Sequence, residues 1–221
     1  MTDQAFDQAA AEITAGILLE TQSVHFSPDQ PFTFTSGRKS PVYIDCRRLI
    51  SFPRARAKLM DLGAEMIARR IGYESLEAVA GGETAGIPFA AWISERLSLP
   101  MLYIRKKPKG FGRMAQIEGE MKEGARVLLV EDLASEGTSK INFVNAIRAA
   151  GGQIAHTFVV FHYGIFPSSI ESLKAEGVLL HGLTTWHDVL ALAHERGSFT
   201  PDQYAAIKSF LDDPEGWKAP E

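Results

Sequence analysis

Residues 127–140, Val-Leu-Leu-Val-Glu-Asp-Leu-Ala-Ser-Glu-Gly-Thr-Ser-Lys, constrain this chain more than any other stretch. Four apolar residues open it, the run expected of a strand buried on both faces. Two adjacent carboxylates follow, Glu131 and Asp132. A loop of small residues with Gly137, Thr138 and Ser139 comes next, and then Ile141, Val144 and Ile147 recur at helical spacing. The order is strand, acidic pair, small-residue loop, helix start. Unpaired N–H groups and a positive dipole at a helix start favour an anion. Carboxylates at a strand end repel a phosphate but accept hydrogen bonds from sugar hydroxyls. A phosphorylated sugar suits both halves, although a plain strand-to-helix turn explains the spacing equally well. The stretch is neither a Gly-Lys-Ser/Thr Walker loop nor a G-x-G-x-x-G fingerprint.

The rest of the chain narrows the class. With 221 residues it can bury a full core as one domain. A formal net charge of −4 argues against a general nucleic-acid binder. Cys46 is the one cysteine, so no internal disulfide forms, and a reducing compartment is expected. Asp3, Asp7 and Glu12 interrupt the N-terminal apolar residues, which is unlike a signal or transit peptide. No uncharged apolar run reaches the length of a membrane span. The expectation is a cytoplasmic protein with one core.

In chain order, residues 3–20 predict an amphipathic helix with Phe6, Ala10, Ile13 and Ile17 inward. Residues 24–36 predict short extended pieces, and 40–45 a strand. A second helix is expected over 54–71, with Leu59, Leu62, Met66 and Ile67 inward and Gly72 as its stop. Leu76–Ala80 reads as a strand, 81–88 as a glycine loop able to hold a phosphate, and 89–96 as a helix. After a strand at 100–104, the segment 105–113 carries Arg105, Lys106, Lys107, Lys109 and Arg113 without an acid. Such a segment is either a solvated basic loop or a flexible cover for a highly charged substrate. A turn at 117–124 precedes the central strand. Further strands are expected at 154–161 and 177–184, and a helix at 188–194. Thr200-Pro201-Asp202-Gln203 reads as a capping box that starts a terminal helix to Leu211. His156, His162, His181, His187 and His194 lack metal-ligand spacing and fit strand or helix faces. The β-loop-α alternation from about 76 to 190 predicts a parallel sheet with helices on both faces. The loops 81–88, 105–113 and 131–139 all follow strands, so they can converge where such sheets bind ligands.

Two patterns carry a resemblance to a known family. Val130 to Ser139 resembles the phosphoribosyl-pyrophosphate (PRPP) motif of type I phosphoribosyltransferases. Ser36-Gly37-x-x-Ser40-Pro41-x-Tyr43-x-Asp45 resembles the N-terminal hood of orotate phosphoribosyltransferases. Arg105, Lys106, Lys109 and Gly112 also match that family's Arg-Lys-x-x-Lys-x-x-Gly mobile loop. The resemblance implies an α/β fold of the type I class, a parallel sheet flanked by helices with a small hood. It implies one domain over 1–221: hood about 1–50, core about 51–200, helix and tail about 200–221. The implied reaction moves the 5-phosphoribosyl group from PRPP to orotate, giving orotidine 5′-phosphate and pyrophosphate in pyrimidine synthesis.

The same resemblance distributes roles. Glu131 and Asp132 take the ribose hydroxyls. Leu133, Ala134, Ser135, Glu136, Gly137, Thr138 and Ser139 surround the 5-phosphate. Glu83 and Thr84 mark the pyrophosphate loop. Arg105 and Lys106 clamp the substrate, Lys109 meets the charge on pyrophosphate, and Lys109 and Asp132 are the two catalytic candidates. Ser135, Tyr43 and Arg38 are the candidates for orotate. Mg²⁺ would be held through pyrophosphate with no direct protein ligand. The basic loop implies a homodimer with shared active sites. Several positions depart from the family pattern: Glu136 and Ser135 before the glycine, Phe111 for a histidine, Thr35 for a lysine, and Thr84-Ala85 in the pyrophosphate loop. His162 and Tyr163 stand where an arginine for orotate's carboxylate is expected. Two alternatives therefore remain: a non-catalytic regulator that binds PRPP or a nucleotide, and a phosphoribosyltransferase for another base.

Overall fold

The structure, a computed structural model, describes residues 1–34, 37–110, 116–135 and 138–220. Helix α1 (Asp3–Glu20) leads to a hood of four short strands, β1 (Val24–Phe26), β2 (Phe32–Thr33), β3 (Lys39–Ser40) and β4 (Val42–Ile44). A 3-10 turn (Cys46–Ser51) closes the hood. The core follows with α2 (Pro53–Arg70), β5 (Ala78–Gly82), α3 (Gly86–Leu97), β6 (Met101–Ile104), β7 (Ile117–Glu118), β8 (Arg126–Ala134), α4 (Thr138–Ala149), β9 (Gln153–His162), α5 (Pro167–Ala175) and β10 (Leu179–Thr185). Helices α6 (Trp186–Glu195) and α7 (Pro201–Asp212) end the chain. Both carry capping boxes, Thr185 with Asp188 and Thr200 with Gln203.

The main sheet has the strand order β10-β9-β8-β5-β6-β7 among the described residues. Every pairing is parallel except β6 with β7. The central strand explains the layering, because side chains alternate faces along it. Leu128 and Val130 pack with Phe89, Phe158 and Trp186 on one face. Val127 and Leu129 pack with Phe143, Val144 and Ile147 of α4 on the other. The apolar run at 127–130 is thus a strand covered on both sides, as its composition predicts.

The structure moves several expected boundaries. The buried stripe of α1 is Phe6, Ala10, Thr14 and Leu18, whereas Ile13 is 39% exposed. One residue is 100° of rotation, so a single step carries Ile13 off the packed face. Gly81 and Gly82 belong to β5, which shortens the expected glycine loop to residues 83–85. A Cβ on Gly81 would stand 2.6 Å from the Gly86 carbonyl oxygen, so these glycines let β5 and α3 approach closely. The expected turn at 117–124 contains β7, which takes its partner from Tyr103 and Ile104 of β6. Helix α5 arises in a stretch where the sequence predicts no element. β8 runs four residues past its apolar run because Glu131, Leu133 and Ala134 stay in register with Val159, Phe161 and His162 of β9. Among the described residues no helix is long and apolar enough to cross a membrane.

Candidate active site

A pocket of about 500 Å³ opens at the carboxyl ends of β5 and β8, under the hood. Tyr43, Asp45 and Arg47 form its hood side, and Glu83, Thr84 and Ala85 its β5 side. Glu131, Asp132, Leu133 and Ser135 come from the end of β8, Lys140, Asn142 and Phe143 from α4, and Lys106 from the basic loop. All three loops singled out by sequence therefore reach one rim.

The acidic pair sits within the last turns of the β8 ladder. Glu131 continues the α4-facing set begun by Val127 and Leu129, and Asp132 the opposite set. Both are buried, at 8% and 7% exposure. Gly82 gives Glu131 its place: a Cβ there would lie 1.8 Å from Glu131 Oε1 and 2.4 Å from the Phe143 ring. Burial pushes the Glu131 carboxyl up to about 8; Lys140 pulls it down, the Asp132 charge pushes it up, and a backbone hydrogen bond from Gly82 and the Lys106 charge pull it down. Oε1 of Glu131 is buried without a hydrogen-bond partner among the described residues. Burial also raises Asp132, opposed by the Leu133 N–H donated to its Oδ1 at 2.9 Å, by Lys140 and by Arg47.

The basic loop is tied to the β5 loop through Glu83, whose Oε2 accepts the Lys106 N–H at 2.8 Å. Arg105 turns away to Glu118, 3.3 Å distant, and Lys109 is exposed and off the pocket wall. Tyr43 lines the pocket as expected and stacks on His25. Arg38 does not line it. Its guanidinium lies over the Phe166 ring at 5.1 Å, in an adjoining groove that shares Asn142. Ser135 is on the wall and Ala134 is buried beneath it. Glu136 and Gly137, Phe111 and Gly112, Thr35 and Ser36, and the side chains of Thr138 and Ser139 lie outside the described residues.

Sequence reasoning missed Arg47, Lys140 and Asn142. Arg47 had a local signal, because the Asp45 carboxylate caps its N–H at 3.1 Å and starts the 3-10 turn. Lys140 had a weaker one: a cation in a first helical turn opposes the dipole. The positions where β9 ends turn inward. His162 Nε2 meets Ser169 Oγ at 3.2 Å, and Tyr163 packs against Phe161, Phe166 and Trp186. Neither supplies a cation to the pocket.

Among the described residues no group of three His, Cys, Asp or Glu side chains stands close enough to hold a metal. Two carboxylates beside a helix start suit a divalent cation carried mainly by the phosphates of a bound ligand.

The Phosphoribosyl transferase domain family matches residues 55–172. An orotate phosphoribosyltransferase of Dinoroseobacter shibae is 58% identical over 213 residues, which is 96% of this chain and 94% of that one. The orotate phosphoribosyltransferase structure from Aeropyrum pernix aligns with a TM-score of 0.70 at 32% identity, covering 84% of this chain and 99% of that one. The UMP synthase structure of Leishmania donovani aligns with a TM-score of 0.74 at 28% identity, covering 90% of this chain. This chain spans 41% of that longer protein.

Proposed function

The chain belongs to the orotate phosphoribosyltransferases, within the type I phosphoribosyl transferase family, and from that premise we propose how its pocket carries the reaction. The enzyme transfers the 5-phosphoribosyl group of PRPP to orotate, releasing pyrophosphate and forming orotidine 5′-phosphate, a step of pyrimidine synthesis. The bond from ribose C1 to the pyrophosphate oxygen breaks, and its electron pair leaves with pyrophosphate. A deprotonated ring nitrogen of orotate closes the new bond, so no protein nucleophile is required. The chain's task is to orient two anions and to stabilise the leaving group.

The observation that carries the residue assignment is the placement of Glu131 and Asp132 at the floor of one pocket, between the hood and the 83–85 loop. Asp132, with Glu131, accepts the ribose hydroxyls. The segment from Leu133 to Ser139 receives the 5-phosphate at the start of α4. Thr84 and the adjoining backbone hold the pyrophosphate, with Lys106 drawn to it by the Glu83 contact. Mg²⁺ would be carried by the substrate phosphates without a direct protein ligand and would supply further charge neutralisation to the leaving group. Tyr43 and Ser135 flank orotate. Arg47, the hood's cation on the pocket wall, whose charge also reaches Asp132, meets the orotate carboxylate in place of Arg38.

Lys109 supports a dimer reading. It matches the lysine of a substrate-closing loop, yet it is exposed and off the pocket of its own chain. We infer a cytoplasmic homodimer in which Lys109 serves the partner's site. The primary test is consumption of orotate with PRPP and Mg²⁺, with uracil and hypoxanthine as controls; turnover of a control without orotate would overturn the substrate. Lys109→Ala and Asp132→Asn should each be nearly inactive alone. Mixed and re-equilibrated, they should regain up to about a quarter of the parent rate, since a hybrid holds one intact site. No recovery in a mixture shown to exchange subunits would remove the shared-site reading.

A further inference from the structure

Lys140 lies in the first turn of α4 with 3% of its surface exposed. Two costs attach to that position. Burial disfavours the ammonium form, and the helix dipole is positive at this end. Burial indeed lowers its proton affinity, while Glu131 and Asp132 raise it again. Its Nζ donates to the Leu133 carbonyl oxygen at 2.7 Å, on the residue that directly follows the acidic pair. The lysine therefore fixes the last rungs of β8 from behind while it balances charge beneath them.

We propose that Lys140 is a positioning residue for ribose recognition: an internal cation, anchored on Leu133 O, that lets two adjacent buried carboxylates face the substrate as hydrogen-bond acceptors. Adjacent carboxylates out of water disfavour each other's ionisation, so one of them tends to take up a proton. A protonated acid would present a donor to a hydroxyl that needs an acceptor. One buried ammonium offsets the second negative charge, so that Glu131, which burial raises to about 8, gives up its proton more readily than it would without the lysine. It does so without occupying the pocket mouth, which the substrate's own anions need. The charged and titratable groups facing this cluster come from every element around it. Glu131 and Asp132 are on β8, Lys106 is on the basic loop, Arg47 and Cys46 are on the hood turn, and His162 is at the end of β9. Lys106 and Arg47 reach the pair from the solvent side, where substrate phosphates and carboxylate will engage them. Lys140 acts from within, so its charge stays with the pair through binding.

The inference rests on the phosphoribosyl-transfer reading and is tested separately from it. Calorimetric titration with PRPP and Mg²⁺ from pH 6 to 9 does not depend on which base is the acceptor. Lys140→Met should weaken PRPP binding about tenfold at pH 7.5, equivalent to about one unit of proton affinity at the pair. The loss should shrink as pH rises, because the unbalanced Glu131 ionises later. In steady state the same variant should raise the KM for PRPP more than it lowers kcat. Binding equal to the parent's, or a loss constant across the pH range, would overturn the proposal. If Lys140→Met does not fold, the double variant Lys140→Met/Glu131→Gln decides, since it removes both charges together. A cooperative melt in the double variant supports the charge role, and failure of both to fold overturns it.

Discussion

The carboxyl end of the sheet and its β10 edge both withdraw titratable side chains from water, fully at the first and partly at the second, and the two places hold them in opposite ways. At the end of β8, Glu131 and Asp132 sit over a buried lysine and open into a pocket. At the β10 edge, His156 Nδ1 and His181 Nε2 are 3.1 Å apart across two neighbouring strands. Burial, His156 and Arg70 together lower His181 to about 4. The two rings stand at hydrogen-bond distance, burial lowers the proton affinity of both, and Asp7 and Arg70 are paired beside them. The acids instead stand over a buried cation at a site where loops from three strands meet. Strongly shifted proton affinity is common to both, so it does not by itself mark chemistry. What separates them is position: the acids stand at a strand end, where backbone groups and loops are free to meet a ligand, while the histidines stand within the β9–β10 pairing.

The sharpest way to break this contrast is catalytic. Asp132→Asn should lower kcat/KM about a hundredfold or more, while His181→Gln leaves it within about twofold. A large loss in the His181 variant would make the edge part of the machinery. The next contrast is steric. Gly82→Ala, whose Cβ would meet Glu131 Oε1 and Phe143, should cost about 3 kcal/mol in urea unfolding. Gly182→Ala, whose nearest neighbour is His162 Cβ at 3.1 Å, should cost about 1 kcal/mol or less.

The smallest effect is in the pH dependence of stability, and the two clusters act with opposite sign. Glu131 is raised from 4.5 to about 8, so the folded state binds its proton more tightly. Its contribution to stability is present below pH 4.5 and is lost as pH rises toward 8. His181 is lowered from 6.5 to about 4, so its contribution is present above pH 6.5 and is lost as pH falls toward 4. Glu131→Gln should flatten the alkaline decline by about 2 kcal/mol, and His181→Gln the acid decline by about 1 kcal/mol, in melts of the ligand-free protein. Equal slopes in parent and variants would show that neither group stays shifted in solution.

Much of the core was legible because its signals are local. The run 127–130 announces a strand buried on both faces, and the residues after it a helix start. The Thr200 capping box and the Gly72 stop fall where their chemistry places them. The misses share one cause. β7 is a two-residue strand that exists only because β6 offers an unpaired edge. Gly81 and Gly82 read as loop because glycine is usual in loops, yet here Gly81 thins a strand so that α3 can cross it and Gly82 leaves room for Glu131 and Phe143. α5 has a short apolar stripe whose buried residue, Leu173, is covered only by other elements, α4 and β10.

The candidate site divides in the same way. Glu131, Asp132, Tyr43, Thr84 and Lys106 were named from motifs, and they line one pocket. Arg38 and Arg47 were equally charged in the sequence, and only the hood's fold turned one to Phe166 and the other to the pocket. By itself, then, the sequence determined the strand-acid-loop-helix unit at 127–140, the alternation of elements around it and the family to which its motifs belong, because period, composition and spacing are properties of the chain. Only the tertiary structure decided that Glu131 stands in the gap left by Gly82, that Lys140 lies beneath the acids and that Arg47 overlooks them. Those contacts depend on strand register and helix crossing, which bring together residues that no local pattern relates.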